Sequence, residues 1–365
     1  MELRALRHRH GQGSAPVTLD ALVLEHASKT TLPGLREALF ALPAAPPSIS
    51  FTDYQALPAD QRELHDQARD DFVRLTLRVP TPEQDLSTRI LARLIRSNPR
   101  RKNSRRGLMI SAPLFYGKTE LALLLARSVE NDHARHAPNY RVDGEVPVVW
   151  VEMTENATGK SLLTQIIRFL APTATVAASS NTDVLRVLAV NLLRAHRTKL
   201  LVIDEAHHLG GKEPSSVIKA LQNESTTTVA LVGIDLGSGT AFGSGHGMQV
   251  TMRCDMVELR EVNIENDAGL ALWTLWVATF DRNLPLCGHT PGMLTRNALS
   301  LHKATRGRLA VLAMVVERLV ASILDDDFRQ HEDVTKQQLF AVLDGIRHTT
   351  PIRHKVRLED LVDAA

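Results

Sequence analysis

The chain has 365 residues, of which 44% are hydrophobic, and its 43 basic and 41 acidic side chains give a formal net charge of +2. These figures are typical of a globular protein of two or three domains. They exclude a small disulfide scaffold, because the only cysteines are Cys254 and Cys287 and they lie far apart. With neither an apolar leader nor an uninterrupted apolar span, we expect a cytoplasmic protein without a membrane segment.

The N-terminal part of the chain is expected to be helical but irregular. Residues 1–57 mix charged residues, alanines and prolines, which predicts a partly disordered arm with one helical patch near residues 35–42. Residues 58–106 predict two helices and a basic connector, which we define as residues 93–106. The connector has seven basic residues and no acidic one: Arg93, Arg96, Arg100, Arg101, Lys102, Arg105 and Arg106.

Short apolar runs alternate with helical patterns between residues 107 and 260. The runs are GLMISA (107–112), PVVWVEM (147–153), KLLVID (199–204), TVALVGI (228–234) and a last one near 256–259. This alternation predicts an α/β domain in which helices cover both faces of a parallel five-stranded sheet. Helical patterns over residues 261–346, with one helix expected over 293–305, predict a small α-helical lid domain. Residues 347–365 then form a C-terminal tail.

Two stretches are candidates for a phosphate-binding loop, APLFYGKT (residues 112–119) and TENATGKS (residues 154–161). Both end in the Gly-Lys-Ser/Thr that such a loop needs, and both lack its leading glycine. Spacing decides between them, because a strand that ends in Asp204 follows. Lys118 leaves room for one additional strand before Asp204, whereas Lys160 does not. We therefore predict that Lys118 is the phosphate-binding lysine.

The pair Asp204-Glu205 at the end of an apolar run predicts the other half of a nucleotide-hydrolysing site. The first carboxylate would bind Mg²⁺ and the second would polarise the attacking water. Residues 204–207 also spell the DEAH box of some helicases, but one such domain with a lid leaves no space for a second helicase domain. His207 and His208 could ligate a metal, although capping or packing is more usual for histidines at a strand-to-helix turn.

With these motifs, the chain resembles the AAA+ ATPases of the TniB/TnsC type, transposition regulators related to the origin-recognition ATPases. The resemblance covers about residues 80–343. It rests on SAPLFYGKT and LLVIDEAHHL, on VPVVWVEM as second strand, on VTMRCDMVEL near the last strand, and on WVATFDRNLPL and ATRGRLAVLAMVVERLVASIL in the lid.

The resemblance implies ATP and Mg²⁺ as ligands and a role for each matching residue. Thr119 and Asp204 would hold Mg²⁺, Glu205 would activate water, and Arg253 would reach the γ-phosphate of a neighbouring subunit, which implies a homo-oligomeric ring or filament. The nucleotide itself would be bound by Ala112, Pro113, Tyr116, Gly117, Lys118, Thr119, Glu120 and, in the lid, Arg308.

Two family features are absent or incomplete in this sequence. After the fourth strand, Ile234 stands where a polar sensor residue is usual, with Asp235 as a weak substitute. Arg308 after Gly307 matches the second sensor pattern only in part. We therefore expect slow hydrolysis.

Two basic surfaces are candidates for duplex DNA, the partner that the resemblance implies. Lys160 lies in the turn where the family presents a DNA-contacting loop. The second surface is the basic connector, which would give salt-sensitive, sequence-independent affinity for DNA. Its candidate contacts are Arg100, Arg101, Lys102, Arg105 and Arg106. Each also has a simpler interpretation. Lys160 would be a solvated residue in the first turn of a helix, and the basic connector would be a solvated link before the first strand.

The resemblance implies an ATPase that oligomerises on duplex DNA and regulates target selection or activation of a transposase. The alternative is a signalling or antiphage-defence P-loop NTPase whose ATP state gates partner assembly, and the sequence does not separate the two. A third class, a nucleotide-locked binding module, is opposed by Glu205.

Overall fold

The computed structural model describes residues 28–349 apart from residues 178, 240, 244, 327 and 328. The remainder of the predicted arm and tail, residues 1–27 and 350–365, lies outside the described residues. The strands are β1 (Gly107–Ser111), β2 (Val148–Glu152), β3 (Leu200–Asp204), β4 (Thr228–Gly233) and β5 (Cys254–Glu258). The α-helices are α1 (Leu32–Phe40), α2 (Phe51–Ala56), α3 (Ala59–Asp71), α4 (Pro82–Ser97), α5 (Lys118–His136), α6 (Gly159–Leu170), α7 (Thr182–Ala195), α8 (Lys212–Glu224), α9 (Gly245–Thr251), α10 (Asp267–Arg282), α11 (Met293–Arg296), α12 (Ala298–Thr305), α13 (Leu309–Leu324) and α14 (Lys336–Thr349).

The five strands form one parallel sheet in the order β2-β3-β4-β1-β5. Every residue of β1, β3 and β4 is buried, which explains their nearly continuous apolar sequences, because a parallel sheet is covered by helices on both faces. The predicted additional strand is β2, which lies at the sheet edge beyond β3, while β4 fills the space between β1 and β3. The predicted fold class, a parallel five-stranded α/β sheet followed by a helical lid, is confirmed.

The described residues form two hydrophobic cores. The first surrounds the sheet, and the second lies among the lid helices, where Trp273, Trp276 and Phe280 are buried. Val73 and Leu77, which precede α4, also pack into the lid core, so the chain contacts the lid before it enters the sheet. Among the helices of the described residues, none is both long and apolar enough to cross a membrane.

A buried charge network ties α3 to the lid. Arg69, which is 1% exposed, is paired with Glu332 and with Asp66, and Arg329 binds the same two carboxylates. Burial and a hydrogen bond to Asp66 raise the pKa of Tyr54, at the edge of this network, to about 12. Because buried charges are stable only when they are paired, this network fixes α3 against the lid.

Three local features differ from the sequence-based expectation. The helix expected over residues 293–305 is wrong as a single element, because Asn297 leaves the helical conformation and separates α11 from α12. The Gly/Ser-rich composition of residues 237–247 predicts a loop, but the last of these residues begin the short helix α9. In the predicted arm, α1 packs its buried Leu35 and Leu39 into the sheet core, with Thr31 as its N-cap.

Candidate functional site

The parallel strands bring the predicted motif residues to one edge of the sheet. β1, β3 and β4 all point their carboxyl ends to this edge, where open α/β sheets bind ligands. The loop of residues 112–117 leaves β1 here, and the amide of Ala112 donates to the Gly233 carbonyl at the end of β4 (3.2 Å). We call this side the carboxyl edge and the opposite side the amino edge.

The loop after β1 has the backbone of an anion cradle. Gly117, immediately before α5, takes a φ of +82°, a left-handed conformation that favours glycine. Ala112 does not take a left-handed conformation, which explains how the loop dispenses with the usual leading glycine. Phe115 does so at a φ of 63° and points outward, 54% exposed, so its bulk does not fill the cradle.

Lys118 is the first residue of α5 and is almost fully buried, 7% exposed. Its ammonium donates a hydrogen bond to the Pro113 carbonyl (2.8 Å) and thereby spans the loop. Burial lowers the pKa of Lys118, against the opposing effect of Glu205, Asp204 and Asp235. The helix N-terminus and this cation together form a site for a phosphate group.

The hydroxyl of Thr119 donates to the Oδ2 atom of Asp204 at 3.3 Å. Asp204 ends β3 and is 1% exposed. A hydroxyl and a buried carboxylate in contact are hard oxygen donors of the type that Mg²⁺ takes beside nucleotide phosphates. The ammonium of Lys29 also lies 3.1 Å from this Oδ2, so a cation already faces the pair. The donor set therefore fits Mg²⁺.

Glu205 follows in a left-handed conformation, with φ 52°, and its amide donates to the Oδ1 atom of Asp204 (3.0 Å). Such strained residues are frequent at functional sites. The Glu205 carboxylate is partly exposed and lies 3.3 Å from Nδ1 of His207. The Ile234 amide donates a long hydrogen bond (3.5 Å) to the same nitrogen, so His207 contacts the end of β4 as an acceptor and lies beside the Glu205 carboxylate.

His207 contacts the backbone of Ile234, the position where the sequence lacks a polar sensor residue. Burial lowers its pKa and His208 acts in the same direction, while Glu205 opposes the shift. Glu205, His207 and His208 have ligand atoms within 4.8 Å of one another, which makes them the group in the described part of the chain that could hold a transition metal. A metal ion bound there would be coordinated by the Glu205 carboxylate.

A cavity of about 240 Å³ adjoins the loop, between α5, the segment before α4 and the lid. Its wall is largely apolar, and Gly117 approaches the lid helix α13 at Ala310, where an added Cβ would lie 4.0 Å from the alanine methyl. Arg78 and Glu120 form a 2.9 Å ion pair at its rim. The apolar lining consists of Val79, Leu121, Leu124, Leu259, Trp276, Phe280, Leu309, Ala310 and Ala313. Such a slot beside a phosphate cradle suits a flat aromatic base.

Tyr116 and Arg308 lie at the junction of loop and lid. The Tyr116 hydroxyl donates to Glu261 (3.2 Å), and burial together with Glu261 raises the pKa of Tyr116 against the opposing charge of Arg308. Arg308 itself donates to the Thr305 carbonyl (3.0 Å) at the start of α13. The structure thus places Arg308 beside the loop, where a change in lid position would move it.

Arg253 is not part of this chain's own site. It immediately precedes β5, at the amino edge, and donates to the Asn223 side chain (3.3 Å). A five-residue strand separates the two edges by about 15 Å. Any action of Arg253 on a phosphate must therefore involve a different subunit.

The basic connector also lies at the amino edge, because it leads into β1. Arg93 and Arg106 both pair with Asp255 (3.1 and 2.7 Å), and Arg105 donates to backbone carbonyls that include Ser225 (3.0 Å). In contrast, three consecutive residues of the connector are exposed: Arg100, Arg101 and Lys102. Of the connector residues predicted to bind DNA, Arg105 and Arg106 are therefore bonded within the protein, whereas Arg100, Arg101 and Lys102 face the solvent.

Lys160 is the second residue of α6, next to a capping box formed by Thr158 and Ser161. The Gly159 amide, one residue earlier, donates to Glu213 (2.7 Å), so this second Gly-Lys-Ser is part of an ordinary helix start. It follows β2 at the sheet edge and does not join the Lys118 cluster.

Sequence reasoning missed Glu152, Lys29 and the cavity wall. Glu152 could have been found, because it ends β2 in direct register with Asp204. Lys29 has no local signal, since it lies 175 residues before the carboxylate that it contacts.

The sheet order, the loop with its lysine, and the helical lid define the AAA+ class of P-loop NTPase folds. Residues 81–242 match the family model described as "Bacterial TniB protein", which confirms the resemblance to the TniB type over this part of the chain. No curated protein sequence matches the chain.

Two solved structures with a similar fold come from Aeropyrum pernix. The first is its ORC1 protein in complex with DNA, with a TM-score of 0.52 and 14% identity over 76% of this chain and 67% of that chain. The second is its ORC2 protein in ADPNP-ADP complexes, with a TM-score of 0.51 and 15% identity over 74% of this chain and 69% of that chain. At these identities the likeness shows the fold.

Proposed function

We propose that this protein is an AAA+ ATPase that binds and slowly hydrolyses ATP with Mg²⁺, assembles on duplex DNA and regulates target selection or activation of a DNA transposase. The observation that carries the proposal is the contact of Thr119 with Asp204 beside Lys118 and Glu205, at the carboxyl edge of a TniB-like domain.

Each residue at the carboxyl edge has a distinct task in this proposal. Lys118 releases the Pro113 carbonyl and binds the β- and γ-phosphates, while the α5 amides bind the same anion. Thr119 and Asp204 hold Mg²⁺, which spreads the negative charge of the phosphates when it is bound. Glu205 orients the attacking water and accepts its proton. His207, which the Ile234 amide contacts at the end of β4, borders the space that the Glu205 carboxylate occupies.

The cavity beside Gly117 receives the base. Its walls come from the segment before α4 and from α10 and α13, so a bound base would contact the lid directly. Closure of the lid on ATP would then bring Arg308 toward the phosphates. The position of the lid, and so its contacts with neighbouring subunits, would depend on whether ATP is bound.

Arg253 completes the site in trans. Because it lies at the amino edge, a head-to-tail arrangement would bring Arg253 of the partner subunit to the carboxyl edge of this one. A planar, permanently charged guanidinium is suited to a phosphoryl transition state. The Asn223 contact holds it in the single chain.

Duplex DNA is the proposed polymer on which the subunits assemble. The exposed Arg100, Arg101 and Lys102 offer a phosphate-binding surface, and the ORC1 protein of similar fold was solved with DNA. Lys160, which follows β2, is a second proposed contact.

The test is binding to random-sequence duplex DNA with a non-hydrolysable ATP analogue, with ADP and without nucleotide, over a salt series. We expect binding that requires the ATP analogue and weakens steeply with salt. Nucleotide binding without any DNA affinity at low salt would exclude the DNA-dependent function and favour an NTPase that gates a protein partner.

A further inference from the structure

One cation of the carboxyl edge comes from the N-terminal segment and has no part in the phosphate-binding motifs. The ammonium of Lys29 lies 3.1 Å from Oδ2 of Asp204 and 3.2 Å from Oε2 of Glu152. It also lies 5.1 Å from the ring centroid of Trp150, on β2. Lys29 therefore bridges the ends of β2 and β3.

The contact falls on the metal-binding side of Asp204. The Oδ2 atom that Lys29 contacts is the same atom that receives the Thr119 hydroxyl at 3.3 Å. Asp204 is 1% exposed, so its charge requires a nearby cation, and Lys29 at 25% exposure provides one. The ammonium supplies positive charge where the donor set fits Mg²⁺.

The segment that carries Lys29 is fixed in place. Its turn is closed by hydrogen bonds of the Thr31 amide and hydroxyl to the Ser28 carbonyl (both 2.8 Å). Thr31 then caps α1, whose Leu35 is buried in the sheet core, and Arg36 pairs with Glu130 of α5 (3.4 Å). A contact held by a packed helix is more persistent than one made by a free side chain.

We propose that Lys29 is a tethered counter-ion that occupies the magnesium side of Asp204 in the nucleotide-free protein and is displaced when Mg²⁺ enters with ATP. The inference rests on the proposed ATP site. It makes the N-terminal segment an autoinhibitory element, because Mg²⁺ and Lys29 compete for one carboxylate oxygen. Displacement of Lys29 breaks its contacts with Asp204 and Glu152 and makes its ammonium accessible, while the turn at residues 28–31 stays closed by its own hydrogen bonds.

The test measures how binding of a non-hydrolysable ATP analogue depends on the Mg²⁺ concentration. In Lys29→Met, half-maximal binding should need about three- to fivefold less Mg²⁺, since the competing cation is gone. Lys29→Arg should stay close to the native protein. Lys219→Met removes the same charge from α8, where Lys219 bonds to Gln249, and should change nothing.

The possible failures are distinguishable. If the native protein binds no nucleotide, the proposed function fails. If it binds nucleotide and Lys29→Met has an unchanged or increased need for Mg²⁺, only the role of Lys29 is overturned.

A second measurement uses the native protein, so its result does not require any variant to fold. Amine acylation followed by mass spectrometry should label Lys29 faster after Mg²⁺ and the analogue are added, with Lys219 as the internal reference. Equal or slower labelling of Lys29 would overturn the displacement.

Discussion

The two edges of the central sheet use charge in opposite ways. At the carboxyl edge, Lys118 and Asp204 are almost completely buried, and each has a partner within the chain. At the amino edge, Arg253 has one long contact with Asn223, and residues 100–102 are exposed. Buried charges need partners to be stable, whereas exposed cations cost little and gain little from intrachain pairing.

This difference indicates what each edge needs for function. The carboxyl edge contains, within a single chain, the groups to which we assign phosphate binding, metal binding and orientation of the attacking water. At the amino edge, Arg93 and Arg106 pair with Asp255, whereas residues 100–102 remain exposed to solvent. We therefore assign ATP chemistry to the carboxyl edge and contacts with other molecules, a neighbouring subunit and DNA, to the amino edge.

The largest effect is expected from Lys118→Ala, which should abolish both ATP binding and ATP hydrolysis, because the loop loses its buried cation. Equilibrium binding of ATP and phosphate release, both without DNA, measure it. Lys160→Ala is the matched control, since it changes the other Gly-Lys-Ser/Thr motif, and it should leave both values unchanged. If Lys160→Ala abolished ATP binding and Lys118→Ala did not, the phosphate-binding loop would be residues 154–161.

Arg253→Ala should reduce turnover in the assembled state by about 10³-fold while ATP affinity is retained, because only the trans contribution is lost. Mixing this variant with Lys118→Ala should restore part of the activity. The Lys118→Ala subunits still offer Arg253, and the Arg253→Ala subunits still have an intact loop. A mixture no more active than its separate components would show that Arg253 does not act in trans.

Glu205→Gln should reduce turnover by about 100-fold with ATP affinity intact, because the carboxylate that accepts the proton of water is gone. ATP-bound assemblies should accumulate in this variant on size-exclusion chromatography. Glu224→Gln, at the end of α8, is the control and should hydrolyse ATP normally. Native turnover in Glu205→Gln would remove Glu205 from the mechanism.

A smaller effect is expected when Arg100, Arg101 and Lys102 are all replaced by serine. If each contacts one DNA phosphate, the slope of log affinity against log salt should become shallower by about 2.7. The control replaces three exposed arginines elsewhere with serine, and its slope should equal that of the native protein: Arg135, Arg282 and Arg318. An unchanged slope in the first variant would exclude the exposed residues of the connector as a DNA contact.

The sequence was sufficient for the parts of the fold that depend on local pattern. Buried parallel strands are continuous apolar runs, so β1 to β4 were recognisable, and the end of β3 placed Asp204 and Glu205 at the edge of the sheet. The last strand, β5, is only partly buried and begins at Cys254, two residues before the expected position. The break at Asn297 was not recognisable, because the apolar spacing continues through it and asparagine is tolerated in helices. The helical patch near residues 35–42 was recognisable, but its packing into the sheet core was not, because no local pattern shows which distant residues a helix contacts.

The candidate site was predictable where it is built from consecutive residues. Residues 117–119 and 204–205 each form one motif, whereas Lys29, Glu152 and Arg78 reach the same edge from segments far apart in sequence. Only the register of β2 with β3 relates Glu152 to Asp204. The division of the basic connector also required the structure, because Asp255, the partner of Arg93 and Arg106, lies on β5.

The most direct test of this division of roles between the two edges is electron cryo-microscopy of the protein with a non-hydrolysable ATP analogue and Mg²⁺, with and without duplex DNA. We predict rings or filaments on DNA, with nucleotide between Lys118 and the lid and with Arg253 of the partner subunit facing the γ-phosphate. Nucleotide bound elsewhere, or assemblies in which the amino edge faces neither DNA nor a partner subunit's nucleotide, would contradict the account.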